Sequence, residues 1–284
     1  MVKGILKKHL PAAWQEALTH RFVDRFNPGA LRRFQRAHRT APTTDRAQGE
    51  WVAIVMSCYN HAAYLDATFE SIARQTHRPF EVICVEDHST DDTLARLRRL
   101  GTQLPEGIHP TVVQTPRNHG QAFALNLGVA AARASAIMIL NDDDYLRPDA
   151  LEATLDILRR NDDLFLLGST SIHWRGSGAP ADIRFIREDC ADYGTIPLAR
   201  YTPADVVRIR KPNDLNMTHS GTTFFKSAWR AVGGYYPEKA RRVIAYSDRD
   251  FQLRVASLFP VAVAQTVPFV YWRSGSSVDH GRNS

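Results

Sequence analysis

The chain has 284 residues, 44% of them hydrophobic and 23% charged, a globular balance that excludes disorder over most of its length and suits one large α/β domain or two small ones. Its net charge of +6 lies entirely in residues 1–50, which hold 10 Lys/Arg against 4 Asp/Glu, while the rest balances 26 against 26; a neutral body speaks against nucleic acid as a partner. No apolar run reaches the roughly 18–20 uncharged residues of a bilayer span, and Cys58, Cys84 and Cys190 lack the number and spacing of a disulfide scaffold or zinc site, which fits a reducing cytoplasm.

The N-terminus carries Lys3, Lys7 and Lys8 without a long apolar core behind them, so no secretory signal is expected. Pro11 suits a first helical position, and Leu10, Trp14, Leu18, Phe22 and Phe26 recur at four-residue spacing, predicting a helix that Asn27-Pro28-Gly29 breaks. Ala30 to Arg39 reads as a second short basic helix and 40–49 as a linker. Two roles stay open for this arm. It packs on the main body or on a second copy of the chain, or it lies on an anionic membrane face through residues 1–40.

From Val52 the chain alternates buried-type strands and helices. Val52 to Met56 is followed by a helical face of Tyr64, Leu65, Thr68, Phe69 and Ile72. Phe80 to Val85 precedes a helix around Leu94 to Leu100, Thr111 to Gln114 precedes one over Gln121 to Arg133, and Ala136 to Leu140 precedes one that Pro148 opens and Arg160 ends. This order predicts a mostly parallel sheet with helices on both faces and ligands at the carboxyl ends of the strands. Four polar loops fall at those ends: Ser57 to Asn60, Glu86 to Asp92, Arg117 to Gly120, and Asn141 to Asp144. No GxGxxG or GxxxxGK[ST] occurs, which disfavours dinucleotide dehydrogenases and P-loop nucleotidases.

Asp142, Asp143 and Asp144 directly after an apolar strand repel one another. Either they point into water as a solvated turn, or a divalent cation neutralises them, with Mg²⁺ or Mn²⁺ suited to the oxygen donors. Further along, Asp248 and Asp250 stand at an expected helix start, followed by apolar runs at Val261 to Ala264 and Val267 to Trp272.

Five segments in order resemble glycosyltransferase family 2, the inverting enzymes of the A-type glycosyltransferase fold: Ile54 to Asn60, Ser71 to Thr76, Glu86 to Thr93, Asn118-His-Gly with Asn126-Leu-Gly128, and Asn141 to Pro148. The resemblance implies a single Rossmann-like α/β domain over residues 50–275, between the basic arm and linker of 1–49 and a tail of 276–284. It implies transfer of a sugar from a nucleotide-diphosphate donor to a hydroxyl of a glycan, lipid-linked or protein acceptor, with Mn²⁺ or Mg²⁺, at the cytoplasmic side. By the same resemblance Ser57, Tyr59, Asn60, Asp87, Asn118 and Asp142 line the nucleotide sugar, Asp143 is the metal ligand, and Asp248 is the base, aligned with Arg254 six residues on. Asp250 is read as a first-turn carboxylate. His219, Thr222 and Trp229 are acceptor-side candidates, with packing as the alternative for each, and Tyr271 to Arg273 and His280 resemble a tail reaching the diphosphate. The sequence departs from the family pattern at Asn141, Glu86, His88, Leu125 and Ser247; His88 replaces a glycine, so a positive φ is not expected to be comfortable there. A non-catalytic module of the same fold is the competing reading, and a sugar-1-phosphate nucleotidyltransferase is disfavoured because Ser57 to Asn60 is not a Gly-rich, Arg-containing loop.

Overall fold

The apolar runs of the sequence become the strands of one twisted sheet. The computed structural model describes residues 26–38, 51–211 and 214–274. The expected helix ending at Phe26 lies outside them but for that last residue, as do the linker at 40–49 and His280. Helix α1 is Pro28–Ala37, strand β1 Val52–Cys58, α2 Leu65–Ala73, β2 Phe80–Glu86, α3 Thr93–Gly101, β3 Ile108–Gln114, α4 Gln121–Ala131, β4 Ala136–Ile139, β5 Tyr145–Leu146 and α5 Ala150–Arg160. Then follow β6 Leu166–Ser169, β7 Ser171–Trp174, β8 Leu198–Tyr201, α6 Pro203–Val206, β9 Thr223–Phe225, α7 Lys226–Ala231, α8 Ser247–Ala256, β10 Val261–Ala264 and β11 Val270–Arg273.

The main sheet runs in the order β3-β2-β1-β4-β9-β6-β10-β8. Only β9 and β8 run against their neighbours; the other pairings are parallel, as an alternating chain with right-handed crossovers requires. A small second sheet, β5-β11-β7, stands beside it.

Strand β1 has apolar residues on both faces because helices cover both. Val52, Ile54, Met56 and Cys58 pack with Leu65, Phe69 and Ile72 of α2, Leu97 of α3 and Leu151 of α5. Ala53 and Val55 face the other way, onto Ala122, Leu125 and Val129 of α4, in the same core as Phe251 and Val255 of α8 and Leu31 of α1. Gly128 is where α4 comes closest: a Cβ there would stand 2.6 Å from Val55 Cγ1.

Helix α1 starts where the sequence breaks the preceding pattern. Asn27 caps it through Oδ1, which accepts from Ala30 N at 2.9 Å, and Pro28 takes the first turn. Its Leu31 is buried, and its Gln35 donates to the Ser257 carbonyl at 2.9 Å. Ten residues of the basic arm are therefore docked on the body behind α8. No helix among the described residues is long and apolar enough to cross a membrane.

Candidate active site

The loops at the carboxyl ends of β1, β2, β3 and β4 are tied to one another by side-chain caps on backbone N–H groups. Ser57 and Tyr59 are half-buried where β1 ends. Asn60 turns the chain at φ 53°, donates from its own N–H to Ser89 Oγ at 3.0 Å, and accepts from Thr90 N at 2.8 Å. Asp91 takes the N–H groups of Ala62 and Thr93 and the Thr93 hydroxyl. Burial would raise this carboxyl, but those donors hold it below the usual range. His88 adopts φ 62°, against the sequence expectation; the surrounding caps force a left-handed residue at the family's glycine position.

Asp87 has three protein donors on its carboxylate. It accepts the Thr115 hydroxyl at 2.8 Å, His119 N at 3.0 Å and Gly120 N at 2.6 Å. It is buried, so it fixes the start of α4 from below, and the exposed edge of that loop belongs to Asn118, whose Oδ1 also accepts from Gly120 N at 3.0 Å. These donors make Asp87 a brace of the loop, alongside the nucleotide-lining role that the resemblance implies.

The acidic triplet is buried rather than solvated. Asp142, Asp143 and Asp144 are 4%, 7% and 0% exposed, which removes the solvated-turn alternative. Asp142 accepts from His61 Nδ1 at 2.7 Å and from Tyr59 N at 3.3 Å. Asp144 accepts from Asn141 Nδ2 at 3.0 Å and from Arg273 N at 2.9 Å. The Thr68 hydroxyl on α2 bridges the carbonyls of Asp142 and Asp144, at 3.1 and 2.9 Å. Burial lifts Asp142 although His61 pulls it down, and burial together with the charge of Asp143 pushes Asp144 up to about 8. Burial alone would depress His61, but its hydrogen bond to Asp142 raises it to about 9.

A ring nitrogen of His61 and carboxylate oxygens of Asp142 and Asp143 lie within 4.8 Å of one another. His61 Nε2 is a buried polar atom with no hydrogen-bond partner. Two buried carboxylates on one loop fit a divalent cation, whose charge would offset the burial that raises Asp142.

The tail residues sit behind this loop, not in front of it. Arg273 is buried, donates from Nε to the Asp143 carbonyl at 2.7 Å, and lies between the rings of Trp174 at 3.9 Å and Tyr64 at 4.7 Å. Tyr271 is buried in the small sheet, with its hydroxyl donating to the Asp182 carbonyl at 2.8 Å. The diphosphate-reaching role implied for these two is corrected to support of the acidic loop.

A single short segment joins the acidic loop to the Asp248 side. Ser220 accepts from Asn141 N at 3.1 Å and its hydroxyl also bonds Asp144. Next to it, His219 Nε2 lies 3.3 Å from the Tyr235 hydroxyl. Burial, and then the negative charge of Asp248, lift the Tyr235 phenol well above its ordinary range. Asp248 is half-buried in the first turn of α8, whereas Asp250 is fully buried and committed to Arg254 at 2.8 Å and Val243 N at 2.6 Å. Thr222 is 1% exposed and bonds the Thr218 carbonyl, and the Trp229 indole N–H donates to Asn126 Oδ1 at 2.9 Å, so both have the packing role that was the alternative for each. His219 is half-buried against the Tyr235 hydroxyl.

The family model described as glycosyl transferase family 2 matches residues 53–228. The chain belongs to this family. Its segments of family 2 pattern are the loops just described, and their caps account for the polar residues at fixed spacing. The teichuronic acid biosynthesis glycosyltransferase TuaG of Bacillus subtilis, so named as putative, is 30% identical over 131 residues, covering 46% of this chain and 50% of that protein. The chain spans half or less of the length of the curated relatives it matches. Among solved structures, TarS 1-349 from S. aureus in complex with UDP-GlcNAc superposes with a TM-score of 0.61 at 16% identity, over 82% of this chain and 61% of that one. The mannosyltransferase PcManGT from Pyrobaculum calidifontis, in complex with GDP-Man and Mn²⁺, gives 0.54 at 19% identity, over 83% and 64%. At those identities the likeness concerns the fold, which is the A-type glycosyltransferase fold expected from the sequence. His61, which bonds Asp142, carries no motif signal of its own; adjacency to Asn60 is the pointer to it.

Proposed function

We propose that this protein is an inverting glycosyltransferase that moves a sugar from a nucleotide-diphosphate sugar to a hydroxyl acceptor in surface-polysaccharide or glycoconjugate synthesis, at the cytoplasmic side or on the inner face of the membrane. The observation that carries the reading is the buried acidic loop at the carboxyl end of β4, bonded through Asn141 to Ser220 in the segment that leads to β9. The names of TuaG and of the nucleotide-sugar complexes above support the donor class and the pathway type.

Ser57, Tyr59, Asn60, Asp87, Asn118 and Asp142 line the donor, and Asp87 also positions the Asn118 loop. Asp143, with Asp142 beside it, holds Mn²⁺ or Mg²⁺, which when bound neutralises diphosphate charge. Asp248 takes the proton of the acceptor hydroxyl as its oxygen attacks the anomeric carbon from the face opposite the diphosphate. The new carbon–oxygen bond forms while the bond to the diphosphate breaks, and that electron pair leaves on the diphosphate. His219 stands on the acceptor side, with the buried Tyr235 behind its ring.

The test is a panel of nucleotide sugars with Mn²⁺. Wild-type protein is expected to bind one donor in a metal-dependent manner, Asp143→Ala to lose that binding, and Asp248→Asn to keep it while losing at least ~10²-fold in transfer. Full transfer by Asp248→Asn would remove the base. Donor binding without turnover by wild-type protein over a broad acceptor set would leave a non-catalytic module instead.

A further inference from the structure

Packing on the body does not exclude the basic arm from a membrane, because only one side of α1 is buried. Helix α8 is buried at every residue from Asp250 to Ala256, so a further layer covers it. Two segments supply that layer. Helix α1 turns Leu31 inward, and α6 with the chain leaving it turns Val206 and Ile209 inward, into the core that holds Phe251, Leu253 and Val255. Gln35 joins the two segments at the end of α8, donating to the carbonyls of Pro203 at 3.5 Å and Ser257 at 2.9 Å.

Outward, the same two segments are cationic. Arg32, Arg33 and Arg36 of α1 and Arg208, Arg210 and Lys211 after α6 are all exposed. Among the described residues none of the six forms an ion pair. The acids nearby are engaged with the backbone: Asp205 accepts from Thr202 N at 2.9 Å, and Asp214 from Lys211 N at 3.1 Å. Such a layer repels a second copy of itself and attracts an anionic surface. Residues 1–25, which lead into α1, add 5 Lys/Arg against 2 Asp/Glu and the four-residue apolar spacing from Leu10 to Phe22. Cations beside apolar residues at helical spacing suit a bilayer, whose headgroups and acyl chains engage both.

Building on the inner-membrane placement proposed above, we infer that α1 and the 203–211 segment together form a docking face for an anionic phospholipid membrane, laid over α8. The arm is then one part of the anchor, and the body supplies the other. Helix α8 carries Asp248 in its first turn, so the docked face and the proposed base share one rigid element.

The experiment is sedimentation of the full chain with vesicles of phosphatidylglycerol and phosphatidylcholine, against phosphatidylcholine alone, at increasing salt. Wild-type protein is expected to bind the mixed vesicles only. It should be released steeply between about 0.1 and 1 M salt, as the Debye length falls from about 10 to 3 Å. Each cation near such a surface contributes roughly fivefold in partition, so Arg208→Gln/Arg210→Gln/Lys211→Gln should weaken binding about 10²-fold at the wild-type Tm. Arg32→Gln/Arg33→Gln/Arg36→Gln should do the same. Wild-type vesicle affinity in the 208–211 variant overturns the inference but leaves a membrane-bound arm, and with it the placement proposed above. Equal binding to phosphatidylcholine alone, or tighter binding to an RNA oligonucleotide than to the mixed vesicles, also overturns it. No vesicle binding by wild-type protein brings down the placement and the docking face together; a dimer that either variant dissociates would then put a second copy on this face. Should the 208–211 variant not fold, Arg210→Gln alone, with an expected loss of about fivefold, carries the test.

Discussion

Arg254→Ala is expected to be among the most damaging single changes in the molecule although it touches no reacting group. The guanidinium and Asp250 are both fully buried and meet at 2.8 Å. Arg254 also donates to the Val232 and Gly234 carbonyls, at 2.6 and 2.7 Å, and stacks under the Tyr236 ring at 3.7 Å. Removing one member of a buried pair costs about 3–5 kcal/mol, because the other charge stays behind in the core. That is a large share of the ~5–15 kcal/mol that holds a domain folded. At roughly 2–4 °C per kcal/mol for a domain near this size, Tm should fall by about 6–20 °C. Urea denaturation of wild type, Arg254→Ala and the double variant Asp250→Asn/Arg254→Met measures it. The double variant should recover part of the loss, since no charge is buried and the Asn oxygen still accepts from Val243 N. It should remain below wild type, because the two carbonyls lose their donor. A loss under ~1 kcal/mol in Arg254→Ala, or a double variant no better than the single, would refute the assignment of Arg254 as the brace of the Gly233-Gly234-Tyr235 turn.

Gly128→Ala puts a Cβ 2.6 Å from Val55 Cγ1 between helix α4 and the sheet, and overpacking of that kind should cost about 1–3 kcal/mol, read as a lower urea midpoint at unchanged slope. His88→Gly relieves a left-handed non-glycine residue at φ 62° and should raise stability by about 0.5–1 kcal/mol, seen as a Tm increase of a few degrees. Arg273→Ala frees the Asp143 carbonyl and Asp144 from the element behind them. Mn²⁺-dependent nucleotide binding should weaken about tenfold or more while far-ultraviolet dichroism stays native, and unchanged metal dependence would refute the supporting role.

The strands legible in the sequence are those buried on both faces. Val52–Cys58, Phe80–Glu86 and Ala136–Ile139 read as continuous apolar runs because helices cover both sides, and their ends fell within two residues of expectation. Strand β3 began earlier than expected, at Ile108, since an edge strand with exposed His109 and Pro110 has no apolar run to announce it. Of the small sheet only its central strand β11 had a signal, the apolar run Val267 to Trp272, for β5 is two residues long and β7 is half-exposed. At the site, the triplet Asp142 to Asp144 was visible as unusual charge after an apolar strand. The bracing role of Asp87 was not, because its partners are backbone N–H groups of His119 and Gly120, and such donors leave no mark in a sequence.

What separates the acidic loop from the many other carboxylates of this protein is how each buried charge is balanced. Glu81 is met by Arg133 and by the N–H groups of Arg133 and Ala134; Asp149 is met by two N–H groups and the Tyr193 hydroxyl; Asp250 is met by Arg254. Each of these settles a local structural need. Asp142 and Asp144 have donors as well, yet burial and the charge of Asp143 still drive their pKa values up. Arg273 is aimed through Nε at the Asp143 carbonyl and through its ring contacts at Trp174 and Tyr64, so it braces the backbone of the loop. Donors that settle Glu81 and Asp149 thus leave the acidic loop still favouring the neutral form of its carboxyls, which is the mark of a site where charge is not fully met by the protein.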